Sequence, residues 1–384
     1  MGFNVSAITT QKFHTLTEVR EYVEEEEANT AYEPINDYLD QGAMFLDDEY
    51  FGRGKRWVSF NEEGFTSFCS TFSVPEQFIR SIADEGLISK VLNDYIKNEA
   101  VKTKLLNSTF VLDKKEQIVK GIVSNTYLNY SNKSFIEDME NLFPEIYTGY
   151  EFQEGYDLNS LLYLRMFSPD IIAGKVDGQG GEDGDGSRIG FQLSNSMVGN
   201  CAVNMEIFIF RLICSNGLIV KSRQASGKVV HSGKRESFAK RFLQQMVPIK
   251  DELATIPKIL EDLMAIPFSP EAIVELGGEE YIYKIIPPSK QQQGKRSRLK
   301  KAEKKEYDIS LIGSYPYEFG LKHSKQVFTS IFEIDQTMYD FINVFTEYAQ
   351  TYKETDFPRS LEIERDTGEF VRWVIDHKAR FISR

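Results

Sequence analysis

The stretch AVNMEIFIFRLICSNGLIV, residues 202 to 220, is the strongest β-strand signal in the chain. Its apolar residues follow one another instead of alternating with polar ones, which is typical of a strand buried on both faces. We therefore predict a strand in the interior of a sheet. Asn216-Gly217 is the dipeptide preferred where both central residues of a hairpin turn need a positive φ, so SNG should return the chain into a second strand, LIV.

Two residues of this stretch have side chains that could carry chemistry. Cys214 follows a run of bulky apolar residues, whereas a nucleophilic thiol needs a nearby base or a helix amino terminus, so we interpret it as a buried structural thiol. Arg211 is harder to assign, because a guanidinium on an interior strand must be paired. A structural ion pair and a contact with a phosphate or a partner both remain open for Arg211.

The sequence before this stretch predicts further strands. Residues 105 to 127 contain two β-rich runs around the polar turn DKKEQ, which is the pattern of a hairpin. The segments LLYLRMFS (161–168) and RIGFQLSNS (188–196) also have strand composition. The glycine- and acid-rich loop 174–187 between them has the composition of a flexible hairpin tip, and its role is left open.

Helical patterns dominate the amino-terminal part of the chain. An acidic helix is expected from Thr17, which can cap it, to a point before Pro34. A helix over 62–72, with Asn61 as its N-cap, precedes a second short helix for which Ser73 is the expected cap. A short helix near 134–142 follows the predicted hairpin.

Helices also dominate the carboxy-terminal part. RESFAKRFLQQMV predicts a basic helix, and the next helix is interrupted at Pro257. One face of a long late helix contains Phe341, Val344, Phe345, Tyr348 and Tyr352. The run over 288–306 lacks apolar periodicity and has a high charge of one sign, so we predict a basic linker or loop there.

These patterns together predict an α+β fold. We expect a mixed or antiparallel central sheet with helices packed on it, an acidic N-terminal helix and a helical C-terminal part. The expected organisation is an acidic N-terminal arm or helix (1–50), an α+β core domain (51–287), the basic linker or loop (288–306) and a C-terminal helical segment that packs on the core (307–384).

The composition is that of a water-soluble protein. Of the 384 residues, 41% are hydrophobic and 27% are charged, and no run of 18 apolar residues or secretory leader pattern occurs. The three cysteines have neither CxxC spacing nor an even count, which argues against a disulfide framework or a zinc site. We therefore expect a cytoplasmic protein.

Charge is distributed unevenly along the chain. The net charge is −13, but residues 211–250 contain nine bases and one acid, a net +8. Residues 295–305, KRSRLKKAEKK, contain seven bases and one acid, a net +6, so the rest of the chain sums to −27. Such asymmetry indicates something about partners and nothing about fold.

No enzymatic signature is complete. The sequence has no P-loop, no GxSxG elbow, no HExxH pair and no full GxGxxG. The four histidines, His14, His231, His323 and His377, have no ligand spacing, and we predict surface positions for them. We accordingly predict no catalytic residue, no cofactor and no metal site, and a nuclease is kept as an alternative below.

Three blocks of sequence carry a family resemblance. In order and spacing, VKGIVSNTYLNYSN (119–132), FQLSNSMVGN (191–200) and FRLICSNGLIV (210–220) resemble the "domain of unknown function 932" family of phages and plasmids. Its members share an SxxY strand end, an NSxxG turn and an R-L-x-C-S-N-G strand end. The resemblance covers about residues 50 to 280 and includes the late helix, and occurrence on mobile elements implies a role in replication, recombination, DNA entry or conflict with host defences.

The leading functional prediction is a non-enzymatic DNA-binding protein that acts on single strands in replication or recombination, in the manner of annealing proteins. Those proteins combine a basic groove along the phosphates with aromatic side chains on which bases stack. The candidate residues for this nucleic-acid site are Arg211, Lys221, Arg223, Lys228, Lys234, Arg235, Lys240, Arg241, Tyr127 and Tyr130.

Two alternatives stay open beside DNA binding. The first is an anti-defence or host-interaction protein that binds a host protein through the acidic remainder of the chain. The second is a metal-dependent nuclease. No membrane partner is expected in any of the three cases, and self-association into a homo-oligomer is left open.

Overall fold

The computed structural model describes residues 5–6, 10–39, 58–142, 149–175, 185–211, 216–220, 228–320, 322–329 and 336–382. The strands are β1 (Val5–Ser6), β2 (Thr10–Phe13), β3 (Thr30–Pro34), β4 (Ser59–Asn61), β5 (Ser108–Asp113), β6 (Ile118–Ser124), β7 (Glu151–Leu158), β8 (Leu161–Lys175), β9 (Asp185–Ser196), β10 (Val203–Arg211), β11 (Asn216–Val220) and β12 (Lys228–Val229).

The helices of the first half are α1 (Leu16–Asn29), α2 (Asn36–Leu39), α3 (Glu62–Phe72), α4 (Glu76–Ser81), α5 (Glu85–Tyr95), α6 (Glu99–Leu106) and α7 (Asn132–Leu142). Those of the second half are α8 (Arg235–Leu253), α9 (Ile256–Ala265), α10 (Pro270–Glu275), α11 (Glu279–Ile285), α12 (Lys290–Arg296), α13 (Lys301–Phe319), α14 (Lys322–Thr329), α15 (Met338–Lys353), α16 (Phe357–Asp376) and α17 (Lys378–Ile382).

The strands form two sheets. Sheet A has the order β1-β4-β6-β5-β3 and is mixed, because β4 runs parallel to β1 and β6 while the other neighbours are antiparallel. Sheet B has the order β11-β10-β9-β8-β7-β2, is antiparallel throughout, and has β12 paired with β10. The α+β prediction is confirmed, although two sheets replace the single central sheet.

A separate hydrophobic cluster joins sheet A to the helices α3 to α6. Phe60 of β4 is fully buried and its ring lies 5.4 Å from that of Phe68 in α3. The amino terminus of α3 is capped as predicted, since the Asn61 side chain accepts a hydrogen bond from the Gly64 amide at 2.8 Å. The capping role predicted for Ser73 is wrong, because this residue ends α3 in the left-handed region and Pro75 precedes α4.

The central stretch forms an interior strand of sheet B, as predicted. β10 pairs with β9 on one side and with β11 on the other. Its residues enter clusters on both faces: Ile207 belongs to the main core, whereas Phe208 packs with Phe357 and Leu361 of α16. Burial on both faces explains the unbroken apolar sequence.

The turn assignment for Asn216-Gly217 is wrong. Arg211 pairs with Asn216, so both residues of the dipeptide lie in β11, and Gly217 does not have a positive φ. A side chain at Gly217 would collide with the ring of Phe208, so close approach requires this glycine. Residues 212–215, with Cys214, lie outside the described residues, as do Gly-rich residues 176–184.

The N-terminal residues that the structure describes, 5–6 and 10–39, contribute strands to both sheets and do not form a separate arm. β1 and β3 belong to sheet A and β2 belongs to sheet B. The acidic helix is present as α1, and its capping box uses Thr15 with Glu18 instead of Thr17. The inner face of α1 is buried through Val19 and Val23.

The C-terminal helices pack on sheet B, as predicted. Gly368 of α16 lies directly against the Ile219 carbonyl of β11, where any side chain would clash. The late helix α15 begins at a capping box formed by Thr337 and Asp340, and its predicted face is buried at Phe341 and Phe345. In the described part of the chain, no helix combines the length and the apolar composition needed to cross a membrane.

Two predictions for the second half are wrong. Residues 288–306 are not a linker or loop, because they contain α12 and the start of α13. The helix break predicted at Pro257 falls before this proline, which lies in the first turn of α9, while α8 continues through Pro248.

Candidate nucleic-acid interface

The predicted basic helix is α8, which lies against β10 and β12. Gly233 has a φ of +79° and turns the chain from β12 towards the helix. Phe238 and Phe242 are buried, and the ring of Phe238 lies 4.6 Å from that of Tyr130. This apolar face fixes the helix, and its polar face is left towards solvent.

The exposed cations at this place form the α8 basic surface, which we define as Lys228, Lys234, Arg235 and Lys240. Lys234 and Lys240 make no ion pair with any described side chain. Arg235 approaches Asp138 of α7 at 3.4 Å, but its side chain is 55% exposed, so this pair is weak.

Arg241 does not belong to that surface. Its guanidinium donates hydrogen bonds to the carbonyls of Val230 and Ser232 and lies 5.9 Å from the ring centre of Phe238. These contacts hold the segment between β12 and α8, so the side chain has a structural role.

The two predicted stacking residues are not open platforms. Tyr130 is 1% exposed, lies between Phe238 and Phe135, and donates a hydrogen bond to Asp138 at 2.9 Å, which removes it from the stacking candidates. Tyr127 is half-buried, and its hydroxyl contacts the Ser196 carbonyl at 2.7 Å as well as His231.

The remaining predicted site residues cannot be placed in the interface. The backbone of Arg211 ends β10, while its side chain lies outside the described part of the structure. Lys221 and Arg223 also lie outside the described residues.

His231, predicted at the surface, is instead 3% exposed. Its Nδ1 contacts the Tyr127 hydroxyl, and its Nε2 lies 2.9 Å from Oδ1 of Asn195. Burial lowers the pKa of the imidazole from 6.5 to about 4, so the ring is neutral near pH 7. The burial of His231 could not be predicted from the sequence, because a single histidine between a valine and a serine is not part of any apolar periodicity.

Hydrogen-bond chemistry fixes the tautomer of His231. The Glu26 carboxylate can only accept, so Asn132 Nδ2 donates to it at 2.8 Å and Asn132 Oδ1 accepts from Asn195 Nδ2 at 2.8 Å. Asn195 Oδ1 therefore faces His231 Nε2, which must carry the proton. Nδ1 is then the acceptor for the Tyr127 hydroxyl.

This buried chain joins the first two sequence blocks. Tyr127 and Asn132 belong to the first block, and Asn195 belongs to the second. The backbone also requires their proximity, because a Cβ at Gly121 would be 2.6 Å from Cβ of Val198. The shared motifs therefore stabilise the junction between the two sheets.

A second buried polar network lies between sheet B and the last long helices. Arg165 is 1% exposed and donates to Gln192 at 2.9 Å, to Glu154 at 3.1 Å and to Glu364. Lys353 Nζ lies 2.7 Å from the same Glu154 carboxylate. The charged residue within LLYLRMFS was the sequence signal for this network, and the sequence interpretation missed it.

The third feature is the basic elbow, which we define as residues 290–305: α12, the turn 297–300 and the start of α13. Arg296 binds Asp308 through two hydrogen bonds of 2.7 and 3.0 Å, and the carboxylate also accepts from the Tyr283 hydroxyl at 2.8 Å. Asp308 is 2% exposed, so this contact anchors the elbow to the body of the protein.

An open groove of about 490 Å³ lies between α3 and residues 198–200. Hydroxyl side chains and two carboxylates, those of Glu62 and Glu63, line it, and these groups do not favour a phosphate. Among the described residues, no three His, Cys, Asp or Glu side chains are grouped as metal ligands.

A family model described as Domain of unknown function (DUF932) matches residues 120–373. The chain belongs to this family. The matched span contains the three blocks except for Val119, the α8 basic surface and the basic elbow, whereas α3 to α6 precede it. No curated protein and no solved structure matches the chain. The family's description names no activity, so function must be argued from the surfaces.

Proposed function

We propose that the protein binds nucleic acid without catalysing a reaction, and that the α8 basic surface contacts the phosphates. A role in the replication or recombination of phage or plasmid DNA, in the bacterial cytoplasm, is part of this proposal. The family resemblance supports a role on mobile DNA. The positive charge at the start of α8 supports nucleic acid as the ligand.

The observation that carries the proposal is the start of α8. Lys234 is the N-cap, Arg235 is the first helical residue, and no side chain caps the helix. Backbone N–H groups at a helix start carry a partial positive charge, so cations there are unfavourable and an anion is favoured. A phosphate would satisfy these donors and neutralise Lys234 and Arg235 together.

The structure changes the kind of contact that we propose. Tyr130 is buried and Tyr127 is bound to His231, so neither of the two tyrosines predicted to stack on bases is open to do so. Contacts to phosphates remain, and these depend strongly on salt and weakly on sequence.

The test is a variant with Lys228, Lys234, Arg235 and Lys240 all changed to alanine. We expect its affinity for a labelled oligonucleotide, measured by fluorescence anisotropy in about 0.1 M salt, to fall at least about tenfold, because phosphate contacts supply most non-specific affinity. The four side chains are exposed, and alanine favours the helix at Arg235 and Lys240, so circular dichroism should show an unchanged fold.

The matched control changes four exposed lysines near sheet A to alanine and alters net charge by the same amount. These residues are Lys90, Lys102, Lys114 and Lys115. Equal losses in the two variants would show that only overall charge matters. Absence of binding by the parent protein at low salt would refute the proposed function.

One observation favours a protein partner as the second candidate. The outer face of α1 exposes Glu21, Glu24 and Glu25, which form no ion pair with described side chains. A basic host protein would fit this face. Changing the three residues to glutamine should abolish a complex isolated from host lysate, while nucleic-acid binding stays unchanged; an unaffected complex would argue against this face.

A further inference from the structure

The basic elbow concentrates positive charge more strongly than the α8 basic surface. Residues 290–305 contain eight bases and one acid, a net charge of +7. The acid, Glu303, is already used, because it accepts a hydrogen bond from the Lys300 amide at 3.1 Å. Five of the bases form no ion pair with side chains in the described part of the chain: Lys290, Arg298, Lys300, Lys301 and Lys304.

These cations are held on a fixed support. The contact of Arg296 with buried Asp308 joins the end of α12 to the middle of α13, and the guanidinium also lies 4.9 Å from the ring centre of Tyr283. Because Tyr283 belongs to α11, three helices meet at this point. An array fixed before binding loses little conformational entropy when it meets its ligand.

The arrangement is unfavourable for the protein alone. Lys301 and Lys304 lie three residues apart within α13, so their side chains are neighbours on the helix surface, about 5–6 Å apart at Cβ, and repel each other. Lys305, the next residue of α13, differs from them because it is paired with Glu275 at 2.8 Å. A polyanion would remove this repulsion, which is the charge complementarity expected of a binding surface.

The surface provides phosphate contacts without base stacking. The ring of Tyr307 is covered by Lys295, whose Nζ lies 5.0 Å from its centre, and Tyr283 is covered by Arg296. Tyr317 is 50% exposed but lies about 24 Å along the helix axis from Lys301. Single-strand binding relies on stacked bases, whereas a duplex offers the charges of two strands and keeps its bases paired.

We propose that the basic elbow docks on the phosphate backbone of a nucleic-acid duplex. The ligand class rests on the proposed function, but the residues differ from those of the α8 basic surface. Each of the five cations without an ion pair to a described side chain would neutralise one phosphate, and no base identity would be read.

The test uses the full chain and the substitutions Arg298→Ala, Lys300→Ala, Lys301→Ala and Lys304→Ala together. Affinity is measured by fluorescence anisotropy for a duplex of about 20 base pairs and for one of its strands, in about 0.1 M salt. We expect the parent to prefer the duplex, and the variant to bind it at least about tenfold more weakly while its affinity for the single strand changes less.

The control variant with alanine at Lys90, Lys102, Lys114 and Lys115 should bind the duplex like the parent. If the elbow variant retains parental duplex affinity while the α8 variant loses it, the elbow proposal is overturned and the proposed function stands. If the parent binds no nucleic acid, both fail. Binding of the parent to vesicles rich in anionic lipid, with no binding to duplex, would also overturn the proposal.

Discussion

His231 shows how one buried side chain links the two sheets. Its two nitrogens are used in opposite ways, Nε2 as donor to Asn195 and Nδ1 as acceptor from Tyr127. The Tyr127 hydroxyl has one proton for two acceptors, Nδ1 of His231 and the Ser196 carbonyl 2.7 Å away, so a second proton on the imidazole would leave this hydroxyl as a donor to Ser196 alone. Acid pH should therefore alter the hydrogen bonds of the junction at this residue.

We predict that His231 makes stability depend on pH. Burial lowers its pKa from 6.5 to about 4, so the unfolded chain binds more protons in this window. The contribution to the free energy of unfolding is complete above pH 6.5 and is lost as the pH falls towards 4, with a decrease of about 2 kcal/mol between pH 7.5 and 5.

Urea denaturation at pH 7.5 and at pH 5 checks this prediction. The variant His231→Gln should be less stable than the parent at pH 7.5 and should lose about 2 kcal/mol less on acidification. His14 is exposed, so His14→Gln is the control and should keep the parental difference. An identical pH dependence in His231→Gln and the parent would contradict the assigned cause.

For a buried arginine, the sequence predicts that an ion pair exists but does not predict its partners. A charged residue in an apolar strand indicates a buried pair, and this reasoning was applied to Arg211 but applies equally to Arg165. The partners of Arg165 are Gln192, Glu154 and Glu364, which come from two other strands and a distant helix. No local pattern identifies such partners, because only the folded topology brings them together.

Strands β8 to β11 of sheet B were predictable because their apolar residues indicate burial on one or both faces, whereas β2, β7 and β12 of the same sheet were not predicted. Helix α3 was equally clear, since Asn61 precedes a helical spacing of phenylalanines. The prediction of a linker or loop at the basic elbow was wrong for a physical reason. Its helical residues are good helix formers, but almost none of them is buried, so the apolar periodicity that indicates a helix is missing. The contact that fixes it joins Arg296 to Asp308, beyond the segment itself.

We predict that Asp308 determines the position of the elbow. Asp308→Ala leaves Tyr283 without its acceptor and leaves Arg296 with the exposed Glu280, 3.4 Å away, so the free energy of unfolding should decrease by about 2 kcal/mol. A double-mutant cycle with Arg296→Ala should give a coupling energy of about 1–3 kcal/mol from urea denaturation. Additive effects would show that the pair does not anchor α12.

Hydrogen exchange provides the local readout for that variant. Amides of α12 should exchange faster in Asp308→Ala than in the parent, because the helix is short and has no buried residue of its own. Amides of α3, which lies on sheet A and has its own hydrophobic cluster, should be unchanged and serve as the internal control.

In the molecule as a whole, positive charge is concentrated in one part of the sequence. Both basic regions, 211–250 and 295–305, lie in the second half of the chain, and the remaining residues sum to −27. The acidic part includes the exposed face of α1, where no phosphate would be tolerated. Nucleic acid should therefore bind in a restricted orientation, in which only the basic surfaces face it.

This polarity leads to a quantitative prediction for salt dependence. Each phosphate contact changes the slope of log K against log salt concentration by about −0.9 for duplex DNA. Removing the four cations Arg298, Lys300, Lys301 and Lys304 should therefore make the slope shallower by about 3 to 4. The control variant at Lys90, Lys102, Lys114 and Lys115 has the same net charge, but its lysines are not proposed to contact phosphates, so its slope should equal that of the parent. Equal slopes in parent and elbow variant would mean that these cations act only through the distant field, whereas a reduced slope counts the phosphates that they neutralise.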